Sequence, residues 1–498
     1  MGGDVIGPKR QARLSERPGE SPHAAPGRPL PAAIQPRGCA NVDGTGSPDQ
    51  RMQPRATHSP AFSTTRPLGT ERRVCVIGAG PSGIAAAKNL LASGFRRVVV
   101  YDRNAEVGGN WIYSPDPGHS SVFETTHIIS SKRLSQYEDF PMPDGYPDYP
   151  GHAELKAYFQ SYARHFGVDR VLELRTEVKS ARARPEGGWT VSLGDGRREE
   201  FDALLVASGH HWDPRMPSYP GTFTGELLHS HAYKTAEPFA GKRVLVIGGG
   251  NSACDIAVES ARRSARTEIS MRRGYWFVPK FLMGVPTDVI NDRLMRKFPK
   301  GIRQQMGKLT VWLVQGRNSQ YGLPEPVHGP FEAHPTINSE LLYFIRHGRI
   351  HPRPDIARFE GRTVHFVDGS SSEVDVVIAA TGYVTRFPFL DTGEVGDYSG
   401  REVSLYLKVF HPRFEDLFFI GLFQPQGCIW PLSDWQGRLV SRALIGAWKR
   451  PENIEAAIRR EMEHPDFAFT DSLRHAVEVD YHDYRKRLVT EVEGGRAF

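Results

Sequence analysis

Two short stretches of the chain contain glycines at a spacing that is typical of dinucleotide binding. The first, RRVCVIGAGPSG at 72–83, places Gly78, Gly80 and Gly83 directly after a run of apolar residues. In this G-x-G-x-x-G pattern the first glycine permits a tight turn, the second lets the backbone approach a pyrophosphate, and the third lets the next helix pack against the sheet. The N-terminus of that helix offers free N–H groups to the phosphates.

An acidic residue follows the first stretch at the distance that this chemistry requires. The apolar run RVVVY at 97–101 reads as a second buried strand and leads directly into Asp102. A carboxylate about 20 residues after the glycines accepts hydrogen bonds from a ribose hydroxyl and would repel a 2′-phosphate. We therefore expect the first stretch to bind a dinucleotide with an unphosphorylated ribose, either FAD or NAD.

The second stretch, KRVLVIGGGNSA at 242–253, has Gly248 and Gly250 at the first two positions and alanine at the third, where alanine is tolerated. The strand that follows it leads into Arg272 and Arg273 instead of an acid. Two guanidinium groups suit a 2′-phosphate, because they form charge-assisted and often bidentate hydrogen bonds with it. This pattern predicts NADPH at the second stretch, and a solvated surface pair is the alternative.

The elements that must position these residues repeat with them. Each stretch reads as strand, glycines, helix and strand, followed by a hairpin and a last strand that ends in ASG or ATG. From Gly78 to Gly209 is 131 positions, and from Gly248 to Gly382 is 134. The repetition predicts an α/β fold with two Rossmann-like dinucleotide-binding domains, each built in three layers around a parallel sheet.

Composition excludes several classes of protein. The 498 residues are 39% hydrophobic, and no apolar run reaches the length of a membrane span. Residues 1–72 hold ten Lys or Arg and six Asp or Glu, so they supply four of the net charge of +6, and the charge gives no reason to expect nucleic acid. The four cysteines form no close pair, which disfavours a disulfide framework or a metal site and fits a cytoplasmic protein.

The segment between the two units resembles a known family. FTGELLHSHAY at 223–233 reads F-x-G-x-x-x-H-x-x-x-Y and is similar to the identifying motif of the flavin-containing monooxygenases, which are class B flavoprotein monooxygenases. EVGGNWIY at 106–113, ASGHHWDP at 207–214, SMRRGYW at 270–276 and AATGY at 379–383 resemble the same family in the expected order. The resemblance covers about residues 72 to 450.

The resemblance implies an NADPH-dependent flavin monooxygenase with FAD, NADPH and O₂ as cofactors and co-substrate. NADPH reduces the flavin, the reduced flavin captures O₂ as a C4a-hydroperoxide, and a soft sulfur or nitrogen of a small-molecule substrate takes one oxygen atom. Baeyer–Villiger oxidation of ketones by the same fold is the alternative. The cofactor carries the chemistry, so no strongly activated side-chain base is required. Nucleic acid and membrane are not expected as partners, and a homodimer stays open.

The resemblance also implies a domain plan. It comprises the N-terminal portion of the FAD-binding domain at 73–214, an inserted NADPH-binding domain at 215–345, and the C-terminal portion of the FAD-binding domain with the C-terminal helices at 346–498. Residues 1–72 lie outside the resemblance, and their composition, rich in Pro, Gly and Arg, predicts a disordered tail. The tail has almost no apolar periodicity, so it cannot bury enough surface to offset its chain entropy.

Site residues follow from the matched motifs. For FAD they are Gly78, Gly80, Gly83, Asp102, Gly109, Trp111 and His119, and for NADPH they are Gly248, Gly250, Asn251, Ser252, Arg272 and Arg273, together with Gly382 at the last strand. His229 lies in the linker motif, where it either holds a linker that hinges or is a satisfied interdomain histidine without a catalytic role.

One position departs from the family. The segment HSSVFETTHIISSKRLSQYEDFPMP at 119–143 matches the family's pattern, but the asparagine that contacts flavin, NADP⁺ and oxygen in the family falls at Ile129. We expect either that Ser130, Ser131 or His127 takes its place or that NADP⁺ is the main group that stabilises the flavin peroxide. The isoleucine favours a divergent branch of the family, some of whose members oxidise ketones. Tyr233 lies at the position where the separate Baeyer–Villiger enzymes usually carry Trp, so this residue disfavours ketone oxidation.

Two other functions are alternatives to a monooxygenase, and two segments outside the motifs have an expected location. A pyridine nucleotide–disulfide oxidoreductase would need a redox cysteine pair, and a non-catalytic FAD- and NADPH-binding sensor would show no turnover. The aromatic-rich segment 275–330 either covers the active site, lies on a partner or is a plain helical insertion. The segment QPQGCIWPLSDWQG at 424–437 is predicted to face the flavin or a substrate channel.

Overall fold

The structure is a computed structural model that describes residues 69–116, 120–293, 298–330, 332, 335–400, 403–463 and 477–494. Every described residue belongs to one compact part of the chain, residues 62–498. The predicted tail therefore lies, except for its last four residues, outside the described part.

The described helices, in chain order, are α1 Pro81–Ala92, α2 Lys132–Ser135, α3 His152–His165, α4 Asn251–Ser260, α5 Thr287–Arg293, α6 Lys300–Gln315, α7 Leu341–Arg346, α8 Thr392–Val395, α9 Ile429–Leu444, α10 Ile454–Glu463 and α11 Tyr481–Val492.

The described strands are β1 Arg73–Ile77, β2 Arg97–Tyr101, β3 Leu172–Glu173, β4 Val178–Ala183, β5 Trp189–Leu193, β6 Arg198–Phe201, β7 Ala203–Val206, β8 Asp213–Pro214, β9 Gly221–Phe223, β10 Glu226–His229, β11 Arg243–Ile247, β12 Arg266–Ser270, β13 Phe277–Val278, β14 Phe281–Leu282, β15 Val285–Pro286, β16 Thr336–Ile337, β17 Ile350–Arg353, β18 Ile356–Gly361, β19 Thr363–Phe366, β20 Ser371–Glu373, β21 Val376–Ala379, β22 Tyr383–Val384, β23 Leu417–Phe419, β24 Gln424–Pro425 and β25 Glu478–Val479.

The first glycine stretch lies at the end of β1 in a parallel sheet of order β23-β7-β1-β2-β3. Val74 and Val76 of β1 and Leu205 of β7 are fully buried, as expected for strands that are covered on both faces. The edge strand β23 comes from residue 417 onward, so a segment far along the chain completes this sheet. A three-stranded antiparallel sheet, β4-β5-β6, precedes β7.

The second glycine stretch lies at the end of β11 in a parallel sheet of order β10-β21-β11-β12-β17. The two sheets confirm the predicted α/β class with two Rossmann-like units. The domain boundary predicted at 345/346 differs from the structure, because β17 and β21 lie after it and still pair within the second sheet. The hydrogen bonds of that sheet place about residues 350–379 with the second unit.

Two chain segments cross between the sheets, and they pair with each other. β8 runs antiparallel to β22, with Tyr383 opposite Pro214. The Arg215 N–H donates to the Gly382 carbonyl at 3.0 Å, and the Thr381 hydroxyl donates to the Arg215 carbonyl at 2.5 Å. These hydrogen bonds give the connection between the sheets a defined geometry.

α1 and α9 pack closely in the core of the first unit. A Cβ on Gly437 of α9 would lie 3.0 Å from the Ala86 Cα of α1, so the two backbones approach each other at this position. The Asn89 amide donates to Asp434 Oδ1 at 2.8 Å, and the buried Lys88 ammonium lies 2.6 Å from the same oxygen. This pairing satisfies the buried charges of both helices.

α3 buries an apolar stripe. Leu155, Tyr158, Phe159 and Tyr162 are buried in the same core as α1 and α9, while Phe166 lies half-buried just beyond the helix. No helix among the described residues is both long and apolar enough to cross a bilayer.

We expect Gly437→Val to lower the free energy of unfolding by about 1–3 kcal/mol, because the added methyl groups overpack the α1–α9 contact. Chemical denaturation would measure it. Gly145→Val is the matched control, since a Cβ at Gly145 meets nothing within 4 Å. Equal stability of the two variants would contradict the close helix contact.

Candidate functional site

The backbone at the first glycine stretch leaves no room for side chains. Gly78 has a φ of +110°, and a Cβ there would lie 2.5 Å from the Ala207 carbonyl oxygen. A Cβ on Gly83 would lie 1.8 Å from the Gly78 carbonyl oxygen, which lets α1 pack against the end of β1. α1 follows the extended backbone of Gly80, and no side chain caps it. This helix end fits a phosphate group.

Asp102 lies beside this loop at the end of β2. Its Oδ2 accepts a hydrogen bond from the Ala79 N–H at 2.6 Å, and its Oδ1 accepts one from the Asn104 N–H at 2.8 Å. The carboxylate therefore ties the glycine loop to the loop after β2. Its predicted bond to a ribose hydroxyl stays a prediction.

The segment around Gly109 approaches the first glycine loop. Gly109 has a φ of +56°, and a Cβ on it would lie 2.8 Å from the Gly80 Cα. Trp111 follows, half-buried, and packs edge-to-face on Trp430 with ring centroids 5.9 Å apart. His119, which was also predicted to contact FAD, lies outside the described residues.

The second glycine stretch has the same design. Gly248 has a φ of +130°, and a Cβ there would lie 2.6 Å from a backbone carbonyl oxygen. α4 follows the extended Gly250 without a side-chain cap. The Asn251 side-chain oxygen accepts the Ile337 N–H at 2.7 Å, and Ser252 is exposed. This helix end fits a second phosphate-bearing dinucleotide.

The arginine pair lies just beyond β12, near the second glycine loop. Arg272 is exposed, and the half-buried Arg273 places its guanidinium 5.5 Å from the ring centroid of Tyr275. The Tyr275 ring in turn covers the loop, because a Cβ on Gly249 would lie 2.3 Å from it. The structure thus brings both arginines to the second unit, and their predicted contact with a 2′-phosphate stays a prediction.

His229 ends β10 at the connection between the sheets. Its Nδ1 accepts the His231 N–H at 3.1 Å, and its ring lies 5.2 Å from the Tyr383 ring, next to Gly382 with a φ of +84°. Burial lowers the pKa of His229 to about 4, so the imidazole is neutral at pH 7. A neutral, packed histidine fits a structural role in the linker.

A buried lysine that the sequence analysis did not single out ties this linker to the first unit. The Lys234 ammonium donates to the carbonyl oxygens of Ser120 and Val122. Burial lowers its pKa to about 8. The only signal in the sequence is its place directly after the F-x-G motif, which says nothing of its partners.

The segment at the family's asparagine position lines a cavity. Ile129 and Ser130 both face it, and the Ser130 and Ser135 hydroxyls lie 2.8 Å apart. Ser131 does not line it; its N–H donates to the Asp288 carboxylate of α5 at 2.6 Å. Burial raises the pKa of Asp288. Of the two predicted serines, Ser130 alone lines the cavity.

The cavity has a volume of about 230 Å³. Its walls are largely apolar and come from the loop at 129–130, the segment 276–311 and residues near α11. The lining residues that bear on the chemistry are Ile129, Ser130, Tyr149, Trp276, Leu282, Asp288, Ile290, Arg303, Gln304, Val311, Ile337, Gln426, Gly427 and Asp480.

Two hydrogen bonds connect the cavity segments to both nucleotide helices. The Tyr137 hydroxyl, a few residues after Ser130, donates to the carbonyl oxygen of Pro81, the first residue of α1, at 2.7 Å. Ile337 lines the cavity and donates its N–H to Asn251, the first residue of α4. The cavity segments are therefore tied to the N-termini of α1 and α4.

The segment 275–330 supplies functional candidates that sequence reasoning missed. Trp276, Asp288, Arg303 and Gln304 line the cavity. Of the three expectations for this segment, the structure favours the one in which it covers the cavity. The high aromatic content of this segment was the only feature of the sequence that indicated a functional role, and it did not identify individual residues. Gln426 and Gly427 line the cavity as well.

Cysteine chemistry is not supported among the described residues. Cys75, Cys254 and Cys428 are free and buried on separate elements, and burial raises the pKa of each thiol. A protonated, buried thiol is unreactive, so these cysteines do not form the relay of a disulfide oxidoreductase. No group of His, Cys, Asp or Glu within the described ranges is arranged to hold a metal ion.

Comparison with known proteins supports the motif-based resemblance. The model of the flavin-binding monooxygenase-like family matches residues 71–496. Flavin-containing monooxygenase 5 of Rattus norvegicus is 36% identical over 442 residues, which cover 84% of this chain and 82% of that relative. Dimethylaniline monooxygenase (N-oxide-forming) 2 of Oryctolagus cuniculus is 32% identical, with 84% and 82% covered.

Solved structures show the same fold. The S-allyl-L-cysteine S-oxygenase of Allium sativum superposes with a TM-score of 0.63 at 25% identity, covering 85% of this chain and 89% of that one. Cyclohexanone monooxygenase from Rhodococcus sp. Phi1, bound to NADP⁺, superposes with a TM-score of 0.64 at 18% identity, covering 85% and 98%. The latter likeness shows the fold alone.

The resemblance inferred from the motifs is thereby confirmed. The phosphate groups of FAD and NADPH fit the two helix N-termini that follow the glycine loops. O₂ is the co-substrate of this family. The chain belongs to the flavin-binding monooxygenase-like family and is an NADPH-dependent flavin monooxygenase.

Proposed function

We propose that this enzyme transfers one oxygen atom of O₂ to the sulfur or nitrogen of a small substrate held in the 230 Å³ cavity. The observation that carries the proposal is the pair of hydrogen bonds, Tyr137 to Pro81 and Ile337 to Asn251, that tie the cavity segments to both nucleotide helices. The names of two relatives, which specify N-oxide formation and S-oxygenation, support this substrate class.

The proposed cofactor contacts follow the geometry. FAD would be held by the first glycine loop, Asp102 and the Gly109–Trp111 segment. NADPH would be held by the second loop, Asn251, Ser252 and the arginine pair. When bound, the two cofactors together supply the electrons that activate O₂. The chain's own residues orient these cofactors and the substrate.

The cavity walls exclude water from the substrate. Ile129, Tyr149, Trp276, Leu282 and Ile290 provide apolar surface around it. A dry site prevents side reactions of reactive oxygen species and strengthens the remaining polar contacts. Ser130 is the hydroxyl beside the position where the family has asparagine, and we propose that it donates the hydrogen bond that Ile129 cannot.

A ketone substrate is the second candidate. Ile129 in the cavity wall favours it, because the amide that the family uses in oxygenation of soft nucleophiles is missing. A non-catalytic sensor is the candidate from another class. The cytoplasmic location and the homodimer stay predictions from the sequence.

We expect the purified, FAD-loaded protein to oxidise NADPH in the presence of O₂ and to do so faster with a neutral thioether such as thioanisole. Oxygen uptake and sulfoxide formation would measure this. Stimulation by cyclohexanone with lactone formation instead would select the ketone reaction. A protein that binds FAD and NADPH but shows neither turnover nor peroxide release would be a sensor.

The arginine pair tests the NADPH assignment. We expect Arg272→Ala with Arg273→Ala to raise the KM for NADPH by about tenfold or more and to spare NADH, because the 2′-phosphate loses charge-assisted hydrogen bonds. Arg263→Ala, which removes an exposed guanidinium after α4, is the control. Equal losses with both nucleotides would contradict a 2′-phosphate contact.

Ile129→Asn tests the departure from the family. The amide adds a hydrogen-bond donor to the cavity, so we expect the fraction of NADPH electrons that is lost as hydrogen peroxide to fall severalfold. Peroxide and sulfoxide yields per NADPH would be compared with those of Ile290→Asn, which places an amide elsewhere in the same cavity. Identical changes in both variants would show that the position has no special role.

A further inference from the structure

Arg303 on α6 is a charged residue that the proposed mechanism does not use. It lines the cavity, and its Nε is closed off from solvent. In the described part of the chain, no acceptor bonds this Nε and no carboxylate pairs with the guanidinium. Arg303 therefore contributes to the cavity lining a guanidinium that pairs with no described carboxylate.

The carboxylates beside the cavity are held by other donors. Asp288 accepts the N–H groups of Ser131 and Val289, at 2.6 and 2.8 Å. Asp480 caps α11 by accepting the N–H groups of its first turn. These acceptors are bonded to backbone donors and leave the Arg303 Nε without a partner.

Glu332, which lies outside the cavity lining, is hydrogen-bonded as well. Glu332 accepts the Gly329 N–H at 2.7 Å and the side-chain amide of Gln304, the neighbour of Arg303, at 3.4 Å. No contact between Glu332 and Arg303 accompanies these bonds among the described residues. Among the described residues, the Arg303 guanidinium pairs with none of these carboxylates.

A guanidinium in a cavity lining gains free energy when a ligand places a negatively charged acceptor against it, because charge-assisted hydrogen bonds are stronger than neutral ones. Guanidinium is always charged and presents its donors in a fixed fork that matches a carboxylate. The other walls of the cavity are apolar at Ile129, Trp276, Leu282 and Ile290. An apolar molecule with one carboxylate end complements this combination.

We propose that the substrate of this enzyme carries a carboxylate that Arg303 binds, with an apolar spacer between the carboxylate and the sulfur or nitrogen that is oxygenated. The inference rests on the proposed function and specifies its substrate class. Arg303 is then the residue that determines specificity for acidic substrates, and it takes no part in the oxygen transfer.

A matched pair of probes tests the proposal in the full-length, FAD-loaded enzyme. 4-(Methylthio)butanoate and its methyl ester differ in the charge of one end. We expect the wild type to have the higher kcat/KM for the acid. Arg303→Met should lower kcat/KM for the acid by about tenfold to hundredfold, mainly through KM, and leave the ester unchanged.

Two further variants separate charge from structure. Arg303→Lys keeps the positive charge and should recover part of the preference for the acid. Lys308→Met removes a charge from the same helix at a position that does not line the cavity, and it should change neither probe. Equal loss of acid and ester turnover in Arg303→Met would overturn the proposal, because it would show a structural role.

A binding readout makes the test independent of turnover. Hexanoate should raise the melting temperature of the wild type more than hexanol does, and Arg303→Met should abolish the difference. An increase in the KM for NADPH in Arg303→Met, with acid preference intact, would assign the guanidinium to the cofactor and overturn the proposal. Ester oxidation without acid preference would overturn it too. A wild type that oxidises neither probe nor thioanisole contradicts the proposed function, and hexanoate binding still decides the role of Arg303.

Discussion

Two helix N-termini without side-chain caps are the constraint on which the rest of the structure depends. α1 and α4 both start after an extended glycine, and their first backbone N–H groups have no capping side chain. Such groups need acceptors, because an unpaired N–H is costly wherever water is excluded. The glycines that precede each helix let the backbone come within contact distance of the neighbouring strand. The backbone of the fold therefore provides two sites that suit phosphate groups, independently of the other site residues.

The cavity is defined by its connection to those two places. The loop around Ile129 is tied to α1 through Tyr137, and β16 is tied to α4 through Asn251. Its walls are completed by α5 and α6, which belong to a segment outside the two glycine motifs. The glycine motifs on which the family resemblance rests lie at the two helix ends, whereas Ile129 and Arg303 line the cavity.

Local pattern was enough to predict the glycine loops, their helices and the strands beside them. The spacing of Gly78, Gly80 and Gly83 reflects steric requirements within a few residues, which a sequence displays directly. The predicted end of the second unit was wrong because β17 and β21 join their sheet across long intervals. Asp288 and Arg303 were not found, since nothing in the sequence brings α5 and α6 to the loop at 129–131. Ile129 was found because the flanking motif fixes its position.

The place of β23 at the edge of the first sheet has a consequence for synthesis of the protein. β7 lacks its outer neighbour until residue 419 has been translated, and α1 lacks its cover α9 until residue 444. The second sheet has all its strands by residue 379 and can close earlier. The nascent chain must keep Leu204 and Leu205 from pairing with other exposed edges during that interval, since unpaired edges promote aggregation. The order of the strands therefore postpones completion of the first sheet until late in synthesis.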